Sequence, residues 1–143
     1  MSLVRVLVVD DFEPWRRMVC HLLENEPDLL VVRLVSDGLE AVQQARELQP
    51  DLIILDVGLP GLNGIEAARR IHELCPTPKI LFLTQNSDPG VVRAAFEAGA
   101  YGYVVKTDAF QELLIAARAV GAGKQFVSSG LLHKGSTFAG PKE

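Results

Sequence analysis

No part of this 143-residue sequence can cross a bilayer as a helix: apolar runs such as Val6 to Val9 and Leu29 to Val32 are far shorter than the roughly 20 residues a spanning helix needs. The opening Met1 to Val9 runs into Asp10 and Asp11 where an export signal would carry small residues and a cleavage site, so a cytoplasmic chain with no membrane contact is expected. Cysteine is scarce. Cys20 and Cys75 lie in helix-like stretches with no CxxC and no metal-ligand spacing, which points to free thiols in a reducing compartment. His21, His72 and His133 are scattered and are read as structural or solvated, so a zinc site has no ligand set. Basic runs are missing too. Fourteen Lys and Arg against 18 Asp and Glu leave a net charge of −4, without the electrostatic footprint of a nucleic-acid binder. The length also leaves no room for two ordinary domains.

What is present is a core-forming composition, 48% hydrophobic and 22% charged. Short β-branched runs alternate five times with longer amphipathic stretches. The strand candidates are Val4 to Val9, Leu30 to Val35, Leu52 to Leu55, Lys79 to Leu83 and Gly102 to Val105. Several are apolar at consecutive positions, as strands buried on both faces of a parallel sheet are. The first helix candidate opens at Pro14 and sets Trp15, Met18, Val19, Leu22 and Leu23 on one face. Others run from Leu39 to Leu48, Ile65 to Leu74, about Gly90 to Ala98 and Ala109 to Ala122, the last with Phe110, Leu113, Leu114 and Ala117 on its apolar face. This rhythm predicts an α/β fold, a doubly wound five-stranded parallel sheet occupying residues 1–122. Residues 123–143, rich in Gly, Ser and Lys, read as a linker or tail with no folded output domain.

In open α/β sheets, sites form beyond the carboxyl ends of the strands. There the sequence places Asp10 and Asp11 after the first strand, Asp56 after the third, Thr84 after the fourth and Lys106 after the fifth. If the first and third strands are neighbours, three carboxylates meet. Unit charges 4 Å apart repel by about 4 kcal/mol at an effective dielectric near 20, so such a cluster calls for a cation. All-oxygen ligands suit Mg²⁺ or Mn²⁺. Each residue also has a plain structural reading: Asp10 or Asp11 as a helix N-cap, Asp56 as the acid before the turn Leu59-Pro60-Gly61, Lys106 as an exposed strand end, Thr84 as a strand terminus and Tyr103 as core mass.

Taken together, Val8-Val9-Asp10-Asp11, Asp56-Val57-Gly58-Leu59-Pro60-Gly61-Leu62-Asn63-Gly64, Leu83-Thr84 and Gly99-Ala100-Tyr101-Gly102-Tyr103-Val104-Val105-Lys106 resemble the receiver domain of two-component response regulators, from Val4 to about Ala122. The closing segment with Phe126-Val127-Ser128 is most similar to receivers joined to LuxR-type helix-turn-helix modules. The resemblance implies a flavodoxin-like strand order 2-1-3-4-5 and a phosphorylation-dependent switch rather than an enzyme acting on a separate substrate. It makes Asp56 the phosphoacceptor, Asp10, Asp11, Asp56 and the Gly58 carbonyl the Mg²⁺ ligands, and Thr84, Tyr103 and Lys106 the phosphate-binding and switch residues. It implies a sensor histidine kinase as donor, a homodimer as one state, self-association through the face of helix four, strand five and helix five, and DNA contact only through an output domain this chain lacks. Switching would draw Thr84 inward and vacate room for the Tyr103 ring.

Some positions depart from the commonest family pattern. Thr107 replaces a frequent proline, so a trans Lys106–Thr107 bond is expected. Gly58 and Asn86 fill positions that in the family influence phosphoryl lifetime, and Leu59 and Leu62 stand where methionine is common. A stand-alone or phosphorylation-independent receiver-like module is the alternative reading. A Mg²⁺-dependent aspartyl-phosphate phosphatase would need an acid at Phe12, and a flavin or nucleotide binder would need phosphate-binding amides where Asp10-Asp11-Phe12-Glu13 stands.

Overall fold

The computed structural model describes residues 3–132; His133 and the rest of the expected tail lie outside the described residues. The elements run β1 (Val4–Val9), α1 (Glu13–Leu23), β2 (Leu29–Val35), α2 (Gly38–Leu48), β3 (Leu52–Leu55), α3 (Gly64–Leu74), β4 (Lys79–Thr84), α4 (Pro89–Glu97), β5 (Gly102–Val105), a 3₁₀ turn over Lys106–Asp108, α5 (Ala109–Gly121), β6 (Phe126–Val127) and α6 (Ser129–Leu132). All strand pairs are parallel, in the order β2-β1-β3-β4-β5-β6.

Alternate residues of the central strands feed two cores. Leu7, Val9, Ile53, Leu55, Ile80, Phe82 and Tyr103 face α2, α3 and α4 through Ala41, Ala45, Ala68, Ile71, Val92 and Ala95. Val6, Val8, Leu52, Ile54, Leu81, Leu83 and Val104 face α1 and α5 through Val19, Leu23, Leu113, Ala116, Ala117 and Val120. Each large aliphatic side chain so buried contributes about 1.5 to 3 kcal/mol. Consecutive apolar residues in the sequence are therefore the signature of a sheet covered on both sides.

Local chemistry sets the helix starts. Asp37 caps α2 by accepting from Glu40 N at 2.7 Å, and Asn63 caps α3 by accepting from Glu66 N at 3.0 Å. These caps start both helices one residue before the expected Leu39 and Ile65. Gly64 has a steric role: a Cβ there would stand 1.8 Å from the Asp56 carbonyl oxygen, so α3 enters hard against the loop that carries Asp56.

Two expectations need correction. The sheet has six strands rather than five: Phe126 and Val127, expected in a linker, pair with Gly102 and Tyr103. Val127 and the buried Leu131 pack on the α2–α4 core, giving this stretch enough apolar contact to stay docked. Polar contacts add to it. Asp108 accepts from Ser128 Oγ and from Gly130 N at 3.1 Å, while Glu112 accepts from Ser128 Oγ at 3.2 Å, from Ser129 N at 3.1 Å and from Ser129 Oγ. The outer edge of β5 is thus covered by the chain itself. Phe110 is the second correction: it is 73% exposed, because α5 seats the small residues Ala109, Ala116 and Ala117 against the sheet and turns its first aromatic outward.

His21 and His72 are exposed, His21 beside Glu24, and Cys20 and Cys75 are free. No peptide bond among the described residues is cis, Lys106–Thr107 included. No helix among them is long and apolar enough to cross a membrane.

Candidate functional site

β1 and β3 lie side by side in the sheet centre, with Val9 paired to Leu55. The next residues, Asp10 and Asp56, therefore emerge together at the carboxyl edge, and β4 and β5 bring Thr84 and the residue before Lys106 to the same edge as partners. Topology converts positions far apart in sequence into one cleft of about 640 Å³, lined by Asp11, Phe12, Trp15, Asp56, Val57, Gly58, Thr84, Gln85, Asn86 and Lys106.

Asp10, Asp11 and Asp56 each offer an oxygen, all within 4.8 Å of one another. Asp10 and Asp56 are buried, whereas Asp11 is exposed. Lys106, only 6% exposed, holds the two buried acids together: its Nζ is 2.7 Å from Asp10 Oδ2 and 3.1 Å from Asp56 Oδ2. Backbone amides take part of the remaining acceptor capacity, Phe12 N donating to Asp10 Oδ1 at 2.9 Å and Val57 N to Asp56 Oδ1 at 2.7 Å. The N-cap reading fails here, because the residue capping α1 is Phe12 and neither aspartate caps the helix. Burial raises the Asp10 carboxyl above its usual 3.8, against the lowering effect of the Lys106 and Phe12 hydrogen bonds, with the Asp56 charge raising it further.

One ammonium against three carboxylates leaves the cluster electronegative. The donor set is all oxygen, close-set, open on the Asp11 side and free of His and Cys, so the residues fit a hard divalent cation such as Mg²⁺. Gly58, whose carbonyl the resemblance assigns to the metal, lines the same cleft.

The far wall holds the two remaining expected residues. Thr84 Oγ1 accepts from Asn86 N at 3.3 Å, and the Tyr103 hydroxyl donates to the Asn86 carbonyl at 2.6 Å. Tyr103 is fully buried beside Phe82, with ring centroids 6.0 Å apart. The ring is interior in this structure, with its hydroxyl turned to the loop after β4. Burial, followed by the charges of Asp56 and Asp88, keeps the phenol well above its usual value and therefore a donor.

Of the residues expected from sequence, Asp11, Asp56, Gly58, Thr84 and Lys106 line the cleft, Asp10 joins Asp11 and Asp56 in the carboxylate cluster, and Tyr103 lies in the core and touches the cleft only through Asn86. Two features of the structure, one in the cleft and one beside it, carry no mark in the periodic pattern of the sequence. Trp15, on the apolar face of α1, packs against the core and also sets its ring 4.8 Å from Lys106 Nζ, where it lines the cleft. Asp108 and Glu112, two and six residues past Lys106, grip the Ser128–Gly130 segment. An aromatic on the first turn after an acidic strand end was the available signal for Trp15; the grip on residues 128–130 depends on tertiary placement alone.

Comparison with known proteins agrees with this arrangement. Residues 6–118 match the family described as the response regulator receiver domain. The chain is 39% identical over 132 residues to the transcriptional regulatory protein LiaR of Bacillus subtilis, covering 92% of this chain and 63% of that protein. A two-component response regulator of the LuxR family from Aurantimonas superposes with a TM-score of 0.87 at 36% identity, over 92% of this chain and 94% of that one. The response regulator domain of Thermotoga maritima CheB superposes at 0.79 with 32% identity, over 85% of this chain and 98% of that one. The chain spans between 59% and 63% of the length of the curated transcriptional regulators it matches. On these grounds, fold, acidic cleft and sequence together, the chain belongs to the receiver domain family of response regulators.

Proposed function

We propose that this domain is a phosphorylation-dependent signalling switch in which Asp56 accepts a phosphoryl group, with Mg²⁺ (or Mn²⁺) held by Asp10, Asp11, Asp56 and the Gly58 carbonyl. One observation carries the reading: Asp56 stands at an open cleft, clustered with two further carboxylates, with a buried ammonium 3.1 Å away that it shares with Asp10. A cation bound there supplies positive charge against the phosphoryl oxygens. The chain's own residues do the rest. One Asp56 oxygen forms the new bond to phosphorus while the donor's bond to phosphorus breaks and its leaving group departs with the electron pair. Val57 N fixes the carboxylate by donating to its other oxygen. Lys106 then transfers its hydrogen bond from the Asp56 carboxylate to the phosphoryl oxygens. Little else is required, since phosphoryl transfer rests on positioning and charge.

The added charge of about −1.5 to −2, with its strong acceptors, supplies the differential affinity that shifts the population between two packings. Thr84 donates its hydroxyl to a phosphoryl oxygen and gives up its acceptor contact with Asn86 N; Asn86 is the residue whose carbonyl Tyr103 holds, so the change reaches the core aromatic through one loop. The readout is self-association on the side of α4, β5 and α5, where β6 and α6 now form part of the surface.

A sensor histidine kinase is the donor, and the domain acts on no separate substrate. The receiver takes in β6 and α6 besides residues up to 122, and the greater length of the curated relatives supports an output module beyond it. LiaR, a transcriptional regulatory protein by name, supports a DNA-binding output outside this domain. A phosphatase reading lacks its acid, since position 12 is an exposed phenylalanine.

Incubation with acetyl phosphate and Mg²⁺ tests the proposal by intact mass. One phosphoryl group on the wild type, and none on Asp56→Asn or with EDTA, is the expected result. Equal labelling of the Asn variant refutes Asp56; no labelling of the wild type favours the phosphorylation-independent module.

A further inference from the structure

We infer that Trp15 is a positioning residue for the Lys106 ammonium, and so for the phosphoryl step that ammonium serves; the inference rests on the reading of Asp56 just given. Three groups surround the Lys106 Nζ. Two are the carboxylates of Asp10 at 2.7 Å and Asp56 at 3.1 Å, and the third is the Trp15 ring, with its centroid at 4.8 Å. That distance lies inside the range in which a ring quadrupole attracts a cation, and indole is the strongest of the aromatic partners. The site is desolvated, with Lys106 6% exposed, which places the contact at the strong end of such interactions.

The ring supplies something a third acid at that position could not. Asp10 and Asp56 belong to the group of oxygens that fits a divalent cation, and a cation among them competes directly with Lys106. An ammonium losing Asp10 to a cation needs another partner to stay over Asp56. Trp15 attracts it without adding negative charge to an already electronegative cleft. The ring is also held in place. Pro14 occupies the first helical turn, fixing the backbone just before Trp15, and the indole packs against the core formed with α1 and α5. A long, flexible lysine is thereby confined by a stiff aromatic wall, and the indole is the sole tryptophan of the chain.

The test is a cycle built from Trp15→Leu and Lys106→Met, in two readouts. In EDTA, urea unfolding of the four proteins reads the coupling without any metal. Trp15→Leu is expected to lower the folding constant about 30-fold beyond its effect in the Lys106→Met background, the size of a desolvated cation–π contact. With saturating Mg²⁺ and acetyl phosphate, Trp15→Leu slows labelling when Lys106 is present and changes nothing in the Lys106→Met background, and Trp15→Phe restores part of the rate. Additive effects in either readout overturn the inference, since a ring that only fills space costs the same whatever stands at position 106. Should Trp15→Leu not fold, the same cycle with Trp15→Phe reads the coupling at smaller size. Metal-free coupling together with an unlabelled wild type breaks the reading of Asp56 and leaves the contact of Trp15 with Lys106 standing.

Discussion

Replacing Lys106 by methionine removes the one buried ammonium from between Asp10 and Asp56 while keeping most of the side chain's volume. The two carboxylates left behind lie within 4.8 Å and repel by about 3 to 4 kcal/mol at an effective dielectric near 20. Breaking a buried pair by deleting one partner typically costs about 3 to 5 kcal/mol, and protonation of one acid limits the loss, so about 3 kcal/mol at neutral pH is expected. With a urea slope of about 2 kcal/mol/M, the midpoint falls by about 1.5 M. The deficit depends on pH. Asp10 is already raised above 3.8 and rises further without Lys106, so between 3.8 and that value the native variant binds more protons than the unfolded chain. Its stability therefore recovers as pH falls, by at most about 1.4 kcal/mol per pH unit. Mg²⁺ at a hundredfold excess over its dissociation constant adds about 2.7 kcal/mol, and more to the variant than to the wild type, whose ammonium competes for the same oxygens. A Lys106→Met protein within 1 kcal/mol of wild type in EDTA, insensitive to both acid and Mg²⁺, would refute this electrostatic account.

Asp10→Asn removes a carboxyl that burial keeps above its usual 3.8. Wild-type stability is lowered by the charged form above that raised value and regained as pH falls toward 3.8, so the variant gains on the wild type as pH rises through this window; a pH-independent difference in urea midpoints contradicts the assignment. A Cβ at Gly130 would meet Asp108 Oδ2 at 2.6 Å, so Gly130→Ala should loosen the hold on Ser128 and Ser129 and weaken the docking of β6 by about 1 to 3 kcal/mol, seen as faster amide exchange at Phe126 and Val127 with β1 and β3 unchanged.

The sheet and its acidic edge were legible in the sequence because both follow from one-dimensional patterns. Apolar runs at Val6–Val9 and Leu52–Leu55 announce strands covered on both faces, and the first polar residue after each run falls at the carboxyl edge whatever the details of packing. What escaped depends on distance in space rather than on order along the chain. Phe126 and Val127 are too short a run to stand out among Gly, Ser and Lys, and become a strand only because β5 offers an unpaired edge and Leu131 finds a core. Phe110 fits the helical period as well as Leu113 does, and only the close seating of the α5 alanines turns it outward. Trp15 satisfied the pattern of a core residue, and in part it is one; its second surface, toward Lys106, leaves no mark in periodicity. Tyr103 is the core mass that one reading of the sequence allowed, while the hold of its hydroxyl on the Asn86 carbonyl depends on the fold and leaves no mark in the sequence.

The central claim is that Asp56, clustered with two further acids and sharing the Lys106 ammonium with one of them, takes the phosphoryl group. Borohydride reduction of the protein treated with acetyl phosphate and Mg²⁺ converts an aspartyl phosphate to homoserine, which peptide mass mapping locates. Homoserine at position 56 alone is the result predicted here; homoserine at position 10 or 11, or a phosphoryl group surviving reduction on a hydroxyl or imidazole side chain, would contradict it.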